Sequence, residues 1–259
     1  MADQRKSPIK EKPLRYSGQS LDEALDKLIN EKAMFYVLAS CLTLTLAMIE
    51  WLKYYNNYPP SPKTMTAIAL LFTGVSFYKI RKMVKQSKLI RQGRDGEKIV
   101  GEYLDSLRED GHRVFHDVLG DNFNLDHVIV STKGIFVIET KTYSKPVKGD
   151  AKIEYNGDQI IIAGSKTTSD PITQVTAASK WLKNILKEST GKEYLIKPVV
   201  VFPGWFVETQ EPGLKSDVWV LNPKALQSFI NNEKDKITRE DMMLATFHLS
   251  RYIRSKASL

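Results

Sequence analysis

Two stretches decide how this chain folds: Asn124-Leu-Asp-His-Val-Ile-Val-Ser131 and Gly134-Ile-Phe-Val-Ile-Glu-Thr-Lys141. Both are apolar and rich in β-branched residues, and a Thr132-Lys-Gly turn joins them, so they read as neighbouring strands. Asp126 lies at the start of the first, and Glu139 and Lys141 close the second. Side chains two apart on a strand share a face, so Glu139 and Lys141 point together. Thr140 points the other way but offers its backbone carbonyl to the same place. Two carboxylates and a carbonyl make a hard oxygen donor set suited to Mg²⁺, with Mn²⁺ as an alternative. A lysine beside such a set can orient or deprotonate a water and offset charge on phosphorus. A Glu-x-Lys pair on its own is more often a cross-strand ion pair. Here the aspartate opening the preceding strand points to a site.

Outward from these strands the pattern alternates between helix and strand. A helical stretch runs from about Lys85, with Ile99, Val100, Tyr103, Leu104 and Leu107 at helical spacing. Gly93 and Gly96 suggest either that the helix begins near Asp95 or that they let another backbone approach. A strand is expected over about 113–119. A hairpin is expected around the Asn156-Gly-Asp turn, with strands over 152–155 and 159–163. A helix follows from Pro171 to Glu188, then an apolar strand over 196–202, a shorter one over 217–221, and helices near 223–231 and 239–255. This order, αβββαβ with an inserted hairpin, predicts an α/β sandwich built on a mixed sheet.

The N-terminal third has a different character. Ala33–Ile49 and Thr64–Tyr78 carry no charge, and they predict a two-helix transmembrane hairpin over 33–79, with a buried helical hairpin or a re-entrant one as alternatives. Trp51, Tyr54, Tyr55 and Tyr58 look like an interfacial aromatic belt, and Pro59, Pro60 and Pro62 forbid a continuous helix across the turn. Seven basic residues from Lys79 to Arg94 follow the second run, so the positive-inside rule places both termini in the cytoplasm at the cell membrane. The first run begins after a polar segment without a cleavage pattern, which argues against a removed signal peptide. The expected organisation is a polar cytoplasmic segment over 1–32, with a short amphipathic stretch around Leu21–Leu28 and no assigned chemistry. The hairpin over 33–79, a basic juxtamembrane linker or helix over 80–94, and a catalytic domain over 95–259 follow.

The formal net charge of +8 invites a nucleic-acid reading, but its distribution weakens it. Residues 1–94 hold 16 Lys+Arg against 7 Asp+Glu, a net of +9, while 95–259 hold 22 against 23. The domain that carries the site is therefore close to neutral and no strong electrostatic trap for DNA by itself. A single cysteine, Cys41, excludes an intrachain disulfide and a Cys-rich zinc site. No P-loop, Gly-rich cofactor loop or Ser/His/Asp order is present.

Gly96-Glu97, Asn124-Leu-Asp-His127, Gly134-Ile-Phe-Val-Ile-Glu-Thr-Lys141 and Pro171-Ile-Thr-Gln174 together resemble the nuclease-related (NERD) domain. That family is placed among the restriction-endonuclease-like PD-(D/E)xK nucleases. The resemblance implies that Asp126 and Glu139 hold metal and that Lys141 is the catalytic lysine. It also implies that Glu97 and Gln174 reach the site from the flanking helices. Leu125 stands where the superfamily's name has proline. Two functions follow as alternatives. One is a membrane-anchored, metal-dependent nuclease acting on cytoplasmic nucleic acid, DNA before RNA. The other is a catalytically silent nuclease-fold module that binds nucleic acid or scaffolds partners at the membrane. The loop lysines Lys133, Lys145 and Lys148 are candidates for phosphate contacts. Nothing in the sequence supports a particular oligomeric state.

Overall fold

The structure, a computed structural model, describes residues 13–56, 58–59, 61–147, 151–164 and 166–256. Lys148 and Pro60, named above, lie outside the described residues. The chain divides into two compact units, Ser20–Gln92 and Met1–Gln19 with Gly93–Leu259.

In the first unit α1 (Gln19–Asp26), a π-helical stretch (Lys27–Ala33) and α2 (Met34–Tyr55) run on as one helix. The chain then turns into α3, Pro62–Ser106. The Trp51 indole N–H donates to Thr66 Oγ1 at 3.0 Å, and the Ser61 backbone N–H donates to Glu50 at 2.9 Å, which closes the turn. Large apolar side chains face outward on both helices. Phe35, Leu38, Leu42 and Met48 on α2, and Leu70, Leu71, Phe77 and Tyr78 on α3, are all at least 59% exposed. By length and composition, however, only the stretch Gln19–Tyr55 is long and apolar enough to cross a membrane among the described residues. The expected second span lies inside α3 between Lys63 and Lys79. Its uncharged part covers only about 22 Å of helix against a hydrocarbon core of about 30 Å.

The second unit is built on a five-stranded mixed sheet in the order β1-β2-β3-β7-β9. Strands β1 (Arg113–Leu119), β2 (Asn124–Ser131) and β3 (Gly134–Thr140) form an antiparallel meander. Strands β7 (Ile196–Val201) and β9 (Trp219–Leu221) extend it in parallel with β3. Every residue of β3 is buried, because the central strand is covered on both faces. One face carries Val114, Ile129, Phe136, Ile138 and Val199. It packs with Val100 and Leu104 of α3 and with Leu226 and Ile230 of α6 (Pro223–Asn231). The other face, with Val128, Val130, Ile135, Val137 and Val200, packs with Val175, Ala178 and Leu182 of α4 (Asp170–Thr190) and with Ala245 and Leu249 of α7 (Arg239–Lys256).

A second sheet, in the order β6-β5-β4-β8, holds β4 (Lys152–Tyr155), β5 (Ile160–Ile162), β6 (Lys166–Thr168) and β8 (Phe206–Thr209). Its Ile153, Tyr155 and Ile160 join the α4 side of the core. A one-turn helix, α5 (Glu211–Leu214), completes the set. The mixed α/β sandwich and the inserted hairpin thus match the sequence expectation. The edge strands β6 and β8 were not expected.

The structure decides between the two alternatives for α3. The helix does not begin near Asp95 but runs unbroken through Gly93 and Gly96. Close approach explains Gly96, but by the Thr142 side chain rather than by the expected backbone. A Cβ on it would lie 1.8 Å from Thr142 Oγ1 and 2.9 Å from Thr142 Cβ.

Candidate active site

The β2–β3 ladder stops at the pair His127↔Ile138. One step further along, Asp126 replaces the ladder with its side chain: the Thr140 backbone N–H donates to Asp126 Oδ2 at 2.7 Å. In extended backbone the carbonyl of a residue flanks the same side as its N–H, so the Thr140 carbonyl also turns toward the β2 edge. Thr140 Oγ1, on the other side, is buried and unbonded. Glu139 is buried, and its Oε1 accepts from Lys141 Nζ at 2.6 Å. That ammonium also donates to Gln174 Oε1 of α4 at 2.9 Å. Glu139 and Lys141 therefore lie on the α4 face of the sheet, where Gln174 of α4 meets Lys141.

Electrostatics bring in a fourth group. Glu97, on the last part of α3, has its carboxyl pushed up to about 8, first by burial, then by the charges of Asp117 and Glu139. Burial likewise raises Asp126, with Glu139 and Glu97 adding to it. Glu139 is raised by burial against the pull of Lys141. For Lys141 burial acts downward, but the charge and hydrogen bond of Glu139 outweigh it, and the ammonium is held above its ordinary range. The site thus gathers more negative charge than its one lysine balances.

A divalent cation would offset that imbalance. Asp126 and Glu139, with the Thr140 carbonyl, are the residues that would hold it. Among the described residues no three His, Cys, Asp or Glu side chains converge closely enough to form a complete cage. The remaining positions would then fall to the carbonyl and to water, as is common for Mg²⁺.

Three residues near the site escaped the sequence reading. Asp117 lies in the middle of β1 and has a positive φ of 50°, a conformation that asparagine and aspartate tolerate better than most side chains. Its Oδ2 accepts from Arg15 Nε and Nη2, both at 2.7 Å, across 102 residues of sequence. The two side chains are only 6% and 3% exposed, which makes this a buried ion pair. Ser17 Oγ donates to the Glu97 carbonyl at 2.7 Å, and Ser17 fills the space beside Gly101. The segment ahead of α1, assigned no chemistry from sequence, is thus clamped to the helix that carries Glu97. An aspartate inside the apolar run Val114-Phe-His-Asp-Val-Leu119 was the available signal.

On the opposite sheet face His116 and His127 are cross-strand partners. Their Nδ1 atoms lie 2.9 Å apart, and His116 Nε2 is 3.1 Å from Asp105. Burial pushes both imidazoles down, His127 furthest. His127 packs away from the carboxylates, as its alternation with Asp126 predicts.

The loop lysines separate. Lys133 sits at the start of β3, the end remote from Glu139, and pairs with Asp235 at 3.3 Å. Lys145 is exposed in the stretch after β3. In the same stretch the Tyr143 ring stacks on Phe202, its carbonyl accepts from Trp205 Nε1, and Lys166 lies 5.1 Å over its face. Tyr143 is therefore held by packing, and Lys166 was not among the expected cations.

Residues 92–203 match the family model described as nuclease-related domain. The matched part runs from the last turns of α3 through β7. An uncharacterized protein of Bacillus anthracis is 32% identical over 78 residues, which cover 28% of this chain and 37% of that protein. The chain thus spans little more than a third of the curated relative it matches. Among solved structures, SfsA of Pyrococcus furiosus in complex with Ca²⁺ matches at 19% identity and a TM-score of 0.25. The match covers 50% of this chain and 54% of that one.

Proposed function

We propose that the second unit is a metal-dependent phosphodiester hydrolase, acting on DNA in preference to RNA, and that the apolar N-terminal helices anchor it to the cell membrane with both termini in the cytoplasm. The observation that carries the reading is the grouping of Asp126, Glu139, Lys141 and Gln174 at one rim of β3, with Glu97 in electrostatic reach. Mg²⁺, or Mn²⁺, held by Asp126, Glu139 and the Thr140 carbonyl would supply Lewis-acid stabilisation of charge on the scissile phosphate. Lys141, fixed between Glu139 and Gln174, keeps its proton. It therefore acts by orienting the attacking water and by offsetting negative charge in the transition state rather than as a base. Gln174 sets where that ammonium points. The Asp126–Thr140 bond fixes one carboxylate oxygen and leaves the other free to ligate.

The membrane reading rests on the apolar stretch Gln19–Tyr55 and on the outward-facing apolar side chains of both helices. Contiguous exposed apolar surface of this kind marks a membrane or partner contact. We place the second uncharged run, Thr64–Tyr78, in the same bilayer, with Lys63 and Lys79 snorkelling from its ends. Such a tether would confine hydrolysis to nucleic acid near the membrane.

The test uses the full chain in detergent, with plasmid and linear DNA and a matching RNA. Cleavage in Mg²⁺ or Mn²⁺, abolished by EDTA and by Lys141→Ala in a folded protein, supports the reading. Equal cleavage by the parent and Lys141→Ala would remove the site from it. DNA binding indifferent to Mg²⁺ and to Asp126→Asn, without cleavage, would favour a silent binding module.

A further inference from the structure

Along α3 the uncharged run over 64–78 passes without a break into Lys79-Ile-Arg-Lys-Met-Val-Lys85, with Lys88 and Arg91 further on. No acidic residue occurs from 63 to 94. Lys79, Arg81, Lys82, Lys85, Lys88 and Arg91 are all exposed, and none has a carboxylate partner among the described residues. The second unit treats its surface lysines differently. There Lys152, Lys187, Lys192 and Lys236 each meet a carboxylate. A patch of one sign left uncompensated by its own chain calls for counter-charge from outside.

Helix geometry says where that counter-charge would sit. From Lys79 to Lys85 the axis rises only ~9 Å. The polar headgroup layer on one side of a bilayer is about 5–8 Å deep. Lys79, Arg81, Lys82 and Lys85 thus share roughly the thickness of one headgroup layer. The uncharged run before them is about 8 Å shorter than the hydrocarbon core, and this mismatch draws the first cations toward the phosphates. Apolar side chains are mixed in with the charges. Tyr78, Val84 and Leu89 are exposed, and the Arg81 guanidinium lies 5.3 Å over the Phe77 ring. A headgroup boundary accepts both kinds of side chain, whereas a duplex backbone offers anionic oxygens to the cations and nothing to the apolar groups.

We infer that Lys79, Arg81, Lys82 and Lys85 form a binding surface for anionic phospholipid headgroups. The inference rests on the membrane reading of α3 given above, and it holds whether or not the rim of β3 cleaves phosphodiesters. The three ammoniums and the guanidinium donate to phosphate oxygens in charge-assisted hydrogen bonds. Each cation close to an anionic leaflet adds about fivefold to its attraction, an effect that fades within a Debye length of ~8 Å. Lys88 and Arg91 stand a further ~4.5 and ~9 Å along the helix and so contribute less.

The full chain is reconstituted from detergent into phosphatidylcholine vesicles carrying a trace of spin-labelled phosphatidylglycerol or spin-labelled phosphatidylcholine. Electron paramagnetic resonance reads the fraction of each lipid that the protein holds immobile. A preference of about fivefold or more for phosphatidylglycerol is expected at low salt, reduced in high salt. Lys79→Gln, Arg81→Gln, Lys82→Gln and Lys85→Gln together should abolish the preference, while Lys88→Gln with Arg91→Gln should keep most of it. A chain that inserts but holds both lipids equally overturns the inference alone. So does an undiminished preference in the fourfold variant, or an equal loss in the outer pair. A chain that does not enter the vesicles overturns the membrane reading and the inference with it. A DNA duplex is titrated into the same proteins in detergent. Binding to it that the fourfold variant loses, with no lipid preference in the parent, would make the run a nucleic-acid surface instead.

Discussion

Glu97 shows how the site is loaded. Its carboxyl is raised from 4.5 to about 8. Between those values the folded protein keeps a proton that the unfolded chain has already released. Stability should therefore fall as pH rises from about 4.5 to about 8 and level off above. Thermal melting in EDTA across pH 5–9 should show this decline, and Glu97→Gln should flatten it. A cation competing for the same charge should raise the melting temperature more at pH 8 than at pH 6. A Glu97→Gln profile as steep as the parent's would show that Glu97 is not the group under strain. The lysine yields a second expectation. Lys141→Ala should lower the rate of phosphodiester cleavage by about 10²–10⁴-fold, as removal of one positioned transition-state group does, with little change in melting temperature. Asp126, Glu139 and Lys141 were legible because period-two alternation fixes which side chains share a face. Arg15 was not, since its partner lies 102 residues away and only the folded chain brings them together.

The segment 13–18, just ahead of α1, is a structural part of the second unit through Arg15 and Ser17. Removing it leaves Asp117 buried without its cation. Breaking a buried ion pair from one side costs about 3–5 kcal/mol. Arg15→Met should therefore destabilise the protein by that order in chemical denaturation. Asp117→Asn, which removes the charge and tolerates the positive φ, should restore much of the loss. If Arg15→Met melts like the parent, the clamp contributes nothing. A fragment starting near residue 85 would lack Arg15 and Ser17 and is a poor choice for assay. Gly96 belongs to the same scale. Gly96→Ala drives a methyl into Thr142, and overpacking of this kind costs ~1–3 kcal/mol. Sequence alone left two readings of this residue open, because glycine in a helix signals a break by propensity while packing against Thr142 requires it mid-helix. The strands β1, β2, β3 and β7 stood out as apolar runs. The edge strands β6 and β8 are short and half-exposed, with the pattern of a loop, and only pairing with β5 and β4 makes them strands.

For the whole molecule, the apolar helices and the basic run Lys79–Arg91 belong to one unit and the carboxylate site to the other. Charge alone would have suggested a DNA-binding protein, whereas its distribution suits a cytoplasmic membrane surface. Membrane preparations washed with alkaline carbonate should retain the full chain, and detergent should release it. Release by carbonate or salt alone would exclude integral insertion. The similarity of residues 92–203 to the nuclease-related domain model was legible from motif spacing, and of the expected membrane hairpin only one stretch is long and apolar enough to span among the described residues. The excess of negative charge at the rim of β3 makes a direct measurement available, namely Mn²⁺ binding to the full chain followed by electron paramagnetic resonance. Saturable binding is expected that Mg²⁺ displaces and that Asp126→Asn and Glu139→Gln each weaken strongly. Undiminished binding in both variants, or none in the parent, would contradict a metal centre between Asp126 and Glu139.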